Sequence, residues 1–290
     1  MMYRGLSFFS SSAAAPARAP VPASNSMDVE FTQLSDLGKV REGNEDCLGH
    51  VAADTPERAR SHGWLFVVAD GVGGHDLGEV ASKTAVDTLT DGFRSSAAAE
   101  PHPALLQRLV RLANTRVIDA ADAAKSPGAN MATTIVACAL RYDRATVAHV
   151  GDSRCYLIRK GSANLLTRDH TVASEQMRMG VLSRSEAGDA ATRHLLSRSL
   201  GGELFVNVDV SEHQILAGDV LLLCSDGLHG SVEGSEMGAI AGNPDLNKTA
   251  QRLVDIANQR DGSDNISLQL IRVRSVERVG MYRGRPYRLP

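Results

Sequence analysis

Trp64-Leu65-Phe66-Val67-Val68-Ala69-Asp70-Gly71 is an apolar, strand-length run that ends on a carboxylate and a glycine. It reads as a buried strand, with Asp70 held at its end. Val220-Leu221-Leu222-Leu223-Cys224-Ser225-Asp226-Gly227 repeats the pattern. Two shorter acidic stretches, Asn44-Glu45-Asp46 and Ser263-Asp264-Asn265, also sit beside β-rich runs. Carboxylates this far apart in sequence can converge only around something positive. A hard divalent cation with oxygen ligands is the natural partner, which points to a metal-dependent hydrolase.

Working outward, six stretches occur in order. They are Gly38 to Asp46, Ala69 to His75, Gly151-Asp152-Ser153-Arg154, Leu166 to His170, Cys224 to Leu228 and Ser263 to Ile266. Together they resemble the metal-dependent protein phosphatases of the type-2C family, in a bacterial style marked by Gly73-Gly74 after Asp70-Gly71-Val72. The resemblance runs from about Phe31 to about Val273.

The rest of the chain is compatible with that. It has 290 residues, 43% hydrophobic and 22% charged, which allows a real core in one large domain or two small ones. A net charge of −3 gives no field suited to nucleic acid. The longest apolar runs are strand-sized, so no membrane span is expected. Four cysteines, Cys47, Cys138, Cys155 and Cys224, form no Cys-x-x-Cys pair and read as small buried hydrophobes of a reducing, cytoplasmic setting. The Cys-x5-Arg loop of thiol phosphatases is missing.

Residues 1–29, rich in Ala, Ser and Pro, read as a disordered extension. Their apolar run is short and broken by serines, so a cleaved signal is not expected, and Met27 could be the true start. The domain spans 30–273, and 274–290 form a basic tail, either disordered or docking a partner. Strands are expected near 31–37, 46–52, 64–69, 132–140, 145–150, 154–160, 206–214, 219–224 and 265–273. Helices are expected near 77–92, 103–124 and 246–259, with Pro103 in a first turn. Many antiparallel strands plus a few amphipathic helices imply an α+β fold of packed sheets covered by helices. The resemblance sharpens this to a four-layer α-β-β-α sandwich. By position, the polar stretch 171–199 resembles the family's flap, a mobile segment beside the active site.

The resemblance also implies roles. Asp70 would bridge two Mn2+ or Mg2+ ions, and the Gly71 carbonyl would bind the second. Asp226 and Asp264 would bind the first. Glu45 and Asp46 would hold waters on the metals, Arg41 would grip phosphate, and Asn265 would orient its neighbours. Asp152 could bind a third ion or cap its turn. Asp169 reads as structural, and His170 could go either way. Val72 stands where some relatives carry a histidine proposed as general acid, and valine has no proton to give. His75 could supply that proton or simply start a helix. The implied activity is hydrolysis of phosphoserine and phosphothreonine on proteins through a metal-activated water. The substrates would be those of a Ser/Thr kinase, and a monomer is expected. The alternatives are a catalytically weak sensor module of the same fold, or a phosphatase dedicated to one bacterial regulator.

Overall fold

The computed structural model describes residues 27–72, 77–124, 131–190, 192–282 and 285–288. In chain order the strands are β1 (Asp28–Asp36), β2 (Asp46–Val51), β3 (Trp64–Val72), β4 (Ala132–Thr133), β5 (Ile135–Arg141), β6 (Arg144–Val150), β7 (Arg154–Arg159), β8 (Ser162–Leu165), β9 (Asp209–Gln214), β10 (Val220–Cys224), β11 (Ile266–Ser275), β12 (Val279–Tyr282) and β13 (Arg285–Arg288). The helices are α1 (Pro56–Ser61), α2 (Leu77–Arg94), α3 (His102–Ala123), α4 (Val172–Arg178), α5 (Arg184–Asp189), α6 (Asp226–His229), α7 (Gly234–Ile240) and α8 (Leu246–Arg260).

One sheet runs β1-β11-β10-β7-β8, and the other runs β2-β3-β5-β6-β9 with β4 beside β3. Neighbouring strands in both are antiparallel. Strand alternation then sorts the apolar residues into layers. On β3, Trp64, Phe66 and Val68 face the β1-β11-β10-β7-β8 sheet, while Leu65, Val67 and Ala69 face α2 and α3. On β10, Leu221 and Leu223 join the inter-sheet core, and Val220, Leu222 and Cys224 pack beneath α8. Because both faces of these strands are covered, their sequence is continuously apolar rather than alternating. The result is the expected four-layer α-β-β-α sandwich, with Phe66 fully buried and its ring 5.2 Å from Phe31.

Several boundaries move. Met27, inside the stretch read as disordered, is buried in the inter-sheet core, and Val29 pairs with Val273. The rest of that extension, 1–26, lies outside the described residues. The expected strand 132–140 is two strands broken at Thr134, and the one expected from 206 begins at Asp209. Val80 and Leu112, which fit the apolar stripes of α2 and α3, are exposed, whereas Asn114 is buried in α3. The basic tail carries a hairpin, β12 with β13. Buried Glu277 ties the tail to α1 by accepting from Arg60 at 2.9 Å. β8 and α1 escaped the sequence pattern because each is short and polar. No helix of the described residues is long and apolar enough to cross a membrane.

Replacing Phe66 with Ala should lower unfolding stability by about 3–5 kcal/mol, because the rigid strands around it cannot collapse into the hole. Urea titration monitored by circular dichroism measures this. A loss below about 1 kcal/mol would mean that the inter-sheet layer is not a close-packed core.

Candidate active site

The inner face of β11 changes character along its length. Val273 and Ile271 are apolar, whereas Gln269 and Ser267 are buried and polar. The polar end of the sandwich is where the acidic strand ends meet. Asp46 opens β2 directly opposite Asp70 on β3. Ser225 ends the β10 side, donates to Asp46 Oδ2 at 2.8 Å and accepts from the Ser267 N–H. Asp226 follows in the first turn of α6. Asp264 and Asn265 lead into β11, and Gly151-Asp152-Ser153 turns from β6 into β7.

Asn265 fastens the loop before β2. Its Oδ1 accepts from the Glu45 N–H at 2.8 Å, and its Nδ2 donates to the Leu37 and Gly43 carbonyls. Glu45 turns its carboxylate onto Gly78 in the first turn of α2, where the helix dipole favours negative charge. Its carbonyl accepts from Gly71 N–H at 3.1 Å. Position 71 tolerates no side chain, since a Cβ there would stand 2.2 Å from the Gly78 carbonyl oxygen. Thr133 and Thr134, at the break between β4 and β5, both donate to the Asp70 carbonyl. Thr134 Oγ1 also lies 2.7 Å from Ser153 Oγ, which links Asp70 to the Asp152 turn.

The cleft these groups form holds about 660 Å³ and is lined by Arg41, Glu45, Asp70, Gly71, Asp152, Asp226 and Asp264. Asp46 stands immediately behind it. Loss of solvation lifts the carboxyl of Asp70 well above the usual range, and the charges of Asp46 and Asp226 push it further. Asp46 and Asp152 are each pushed up to about 7, mainly by desolvation and then by Asp226, although hydrogen bonds from Ser267 and Ser225 pull Asp46 back. Asp226 is raised by desolvation and by Asp264. Such a set is unfavourable as bare anions. All of its donors are oxygens, which suits a hard divalent cation, and cations would reverse every one of these shifts.

Glu45, Asp46, Asp70, Gly71, Asp152, Asp226, Asp264 and Asn265 are therefore brought to one end of the fold. Arg41 lies on the rim, half exposed, with Nη2 donating to Asp264 Oδ2 at 2.8 Å. Val72 lines the cleft and offers no proton, and His75 lies outside the described residues. Asp169 is structural, held by both guanidinium ends of Arg154. His170 is buried, accepts from Gly151 N–H and sits 3.3 Å from Asp209. His149, His170 and Asp209 bring ligand atoms within 4.8 Å of one another. However, His149 Nε2 is engaged with the Arg168 backbone, and the guanidinium groups of Arg168 and Arg198 already face Asp209, which disfavours a cation there. No cysteine lines the cleft, and burial pushes the Cys224 thiol up to about 12.

Sequence reasoning missed His194, from the segment resembling the flap. This segment contains α4 and α5 and closes at the Thr171–Leu196 bridge. His194 lines the cleft with Nδ1 3.8 Å from Asp226 Oδ2, and its Nε2 accepts from Arg193 Nε. Nothing in the local pattern marks it, because its position depends on how the segment folds back.

Comparison with known proteins agrees with this geometry. The protein phosphatase 2C family matches residues 49–270. Serine/threonine phosphatase stp of Listeria innocua is 35% identical over 263 residues, covering 89% of this chain and 99% of that protein. Protein phosphatase PhpP of Streptococcus pneumoniae is 30% identical, covering 84% and 97%. The crystal structure of the Mycobacterium tuberculosis serine/threonine phosphatase PstP/Ppp superimposes with a TM-score of 0.72 at 31% identity, covering 84% of this chain and 98% of that one. The PstP catalytic domain in complex with two manganese ions also gives 0.72 at 31%, covering 85% and 99%. The chain belongs to the protein phosphatase 2C family, as a metal-dependent phosphatase of bacterial type.

Asn265→Ala should leave the Glu45 N–H and the Leu37 and Gly43 carbonyls without their partner while removing no carboxylate. The apparent affinity for Mn2+ should fall about 10–100-fold, with the fold retained. Calorimetric titration with Mn2+ and far-UV circular dichroism test this together. Unaltered metal affinity would show that Asn265 does not hold the acidic loop in place.

Proposed function

We propose that this cleft hydrolyses phosphoserine and phosphothreonine on proteins, with two divalent cations held by Asp70, Gly71, Asp226 and Asp264 and a third place offered by Asp152. One observation carries the reading: carboxylates from five separate strand ends share one cleft, and desolvation and mutual repulsion raise three of those lining it, Asp70, Asp152 and Asp226. Mn2+ or Mg2+ bound there would supply an activated water and neutralise the phosphoryl oxygens.

The chain's own groups do the rest. Asp70, between the two sheets, would serve both cations. Asp226 and Asp264 would hold one of them, and the Gly71 carbonyl would serve the other. Glu45 and Asp46 orient water around the cations, with Asp46 aimed by Ser225. Arg41 binds a phosphoryl oxygen from the rim, where its planar fork suits phosphate. Val72 donates nothing, so the leaving-group proton comes from elsewhere in the cleft. All these residues fall within 30–273, the span read as the catalytic domain. Substrates made by a Ser/Thr kinase, a monomeric state and a cytoplasmic setting complete the reading.

Hydrolysis of p-nitrophenyl phosphate, followed by a phosphothreonine peptide, should require Mn2+ or Mg2+ and stop on chelation. Asp226→Asn and Asp264→Asn should each reduce turnover by about three orders of magnitude or more while the circular dichroism spectrum stays native. Full activity in chelator, or wild-type turnover in either variant, overturns the reading.

Arg41→Ala should raise KM more than it lowers kcat, because the guanidinium holds phosphate in ground and transition states alike. Arg41→Lys should restore only part of the affinity, since an ammonium lacks the fork. Steady-state kinetics on one phosphopeptide read both. An unchanged KM in the alanine variant would leave Arg41 as a partner of Asp264 alone.

A further inference from the structure

Leu204 and Phe205 are large apolar side chains left in solvent, 68% and 85% exposed. Their loop is nevertheless built with care. Asn114, 1% exposed inside α3, donates to the carbonyls of Glu203 at 2.9 Å and Leu204 at 3.3 Å. Its Oδ1 accepts from Gly201 N–H at 2.8 Å. A buried polar side chain is thus satisfied by both ends of one short loop. Gly201 adopts φ +88° and lies so close to α3 and residue 131 that a Cβ would stand 2.4 Å from the Met131 carbonyl oxygen. The loop is clamped to a helix, yet it points its two largest apolar groups outward. A clamped backbone that presents two adjacent large apolar side chains to water gains nothing for the fold by doing so, and apolar groups left exposed beside a cleft mark an interaction surface.

Position supplies the occupant. Gly201 and Gly202 line the catalytic cleft. A second groove of about 420 Å³ carries Phe205 and shares Leu196, Ser199 and Gly202 with that cleft. A polypeptide whose phosphorylated side chain enters the cleft must carry its backbone out across a rim. Each residue advances the chain by roughly 3.3–3.6 Å, so positions one to three away lie over the adjoining groove. We propose that Leu204 and Phe205 form a docking platform for an apolar side chain of the phosphoprotein substrate, within three residues of the phosphorylated one. The proposal rests on the phosphatase reading of the cleft and adds a sequence preference to it. Phe205 provides a rigid aromatic face with few rotors to freeze, and the Asn114 clamp keeps its loop from having to order on binding.

The test compares the wild-type chain with Leu204→Ser/Phe205→Ser on phosphothreonine peptides, with Mn2+ present. Leu is placed in turn at each of the three positions on either side of the phosphothreonine, in an otherwise Ala/Ser background. In the wild type, kcat/KM should rise about 10-fold for at least one Leu position over the all-Ala peptide, mainly through KM. In the double variant that preference should disappear, and Phe205→Leu should recover part of it. Turnover of p-nitrophenyl phosphate, which has no flanking residues, should be unchanged in all three proteins. The same ranking of peptides in wild type and double variant overturns the proposal. So does a wild-type dimer that becomes monomeric in the double variant with its peptide ranking intact, since the patch would then cover a second copy. A wild type inert toward p-nitrophenyl phosphate with Mn2+ overturns the phosphatase reading, and the platform with it.

Discussion

Like charges forced together at the ends of strands are the constraint around which this protein is organised. Asp46, Asp70, Asp152, Asp226 and Asp264 arrive from both sheets at one edge of the sandwich, where desolvation and mutual repulsion oppose the ionised forms of the first four. A fold that ignored this repulsion would splay the strand ends apart. Here the rest of the sandwich holds them in place. Three apolar layers lock the strands below, and hydrogen-bonded backbone locks the loops above.

That second layer of restraint is made of modest residues. Asn265 reaches three backbone groups of the loop before β2. Thr134 interrupts what would otherwise be one strand, and the interruption lets it join Asp70 to the turn carrying Asp152. Gly71 lets the backbone of β3 press against α2. None of these residues carries charge, yet together they hold the loops that bear the carboxylates. Close carboxylates without a cation share a proton, whereas a divalent cation lets them ionise together.

Around this acidic centre the rim is varied. The segment 171–199 brings His194 within 3.8 Å of Asp226. It is anchored from below by Arg198, which donates to Asp209 on β9 and to Glu175 on α4. Opposite, Arg41 reaches in from the loop after β1. The carboxylates cluster at the strand ends of the sandwich, whereas Arg41 and His194 sit on loops at the rim. That division lets one hydrolytic centre serve different polypeptides through changes at the rim.

Much of this was legible in the sequence. The long strands showed because apolar runs such as Trp64 to Ala69 and Val220 to Cys224 must be covered on both faces. The carboxylates showed because each follows such a run, and the order of the motifs carried the family and the layered sandwich. What the sequence did not disclose depends on contacts between distant residues. Val80 and Leu112 fit a helical stripe but point outward, because where the sheet lies decides which part of a stripe is covered. Asn114 is a polar residue beside the stripe of α3, and only the loop at 201–204 folding onto α3 makes it a clamp. β8, α1 and the terminal hairpin are too short and polar to leave a period. His194 has no local signal at all. Local pattern, in short, determined which segments would be strands and which would end in acid, since those are properties of neighbours along the chain. Only tertiary structure decided which side chains share the cleft, which face water and how far apart the charges stand, since those are properties of neighbours in space.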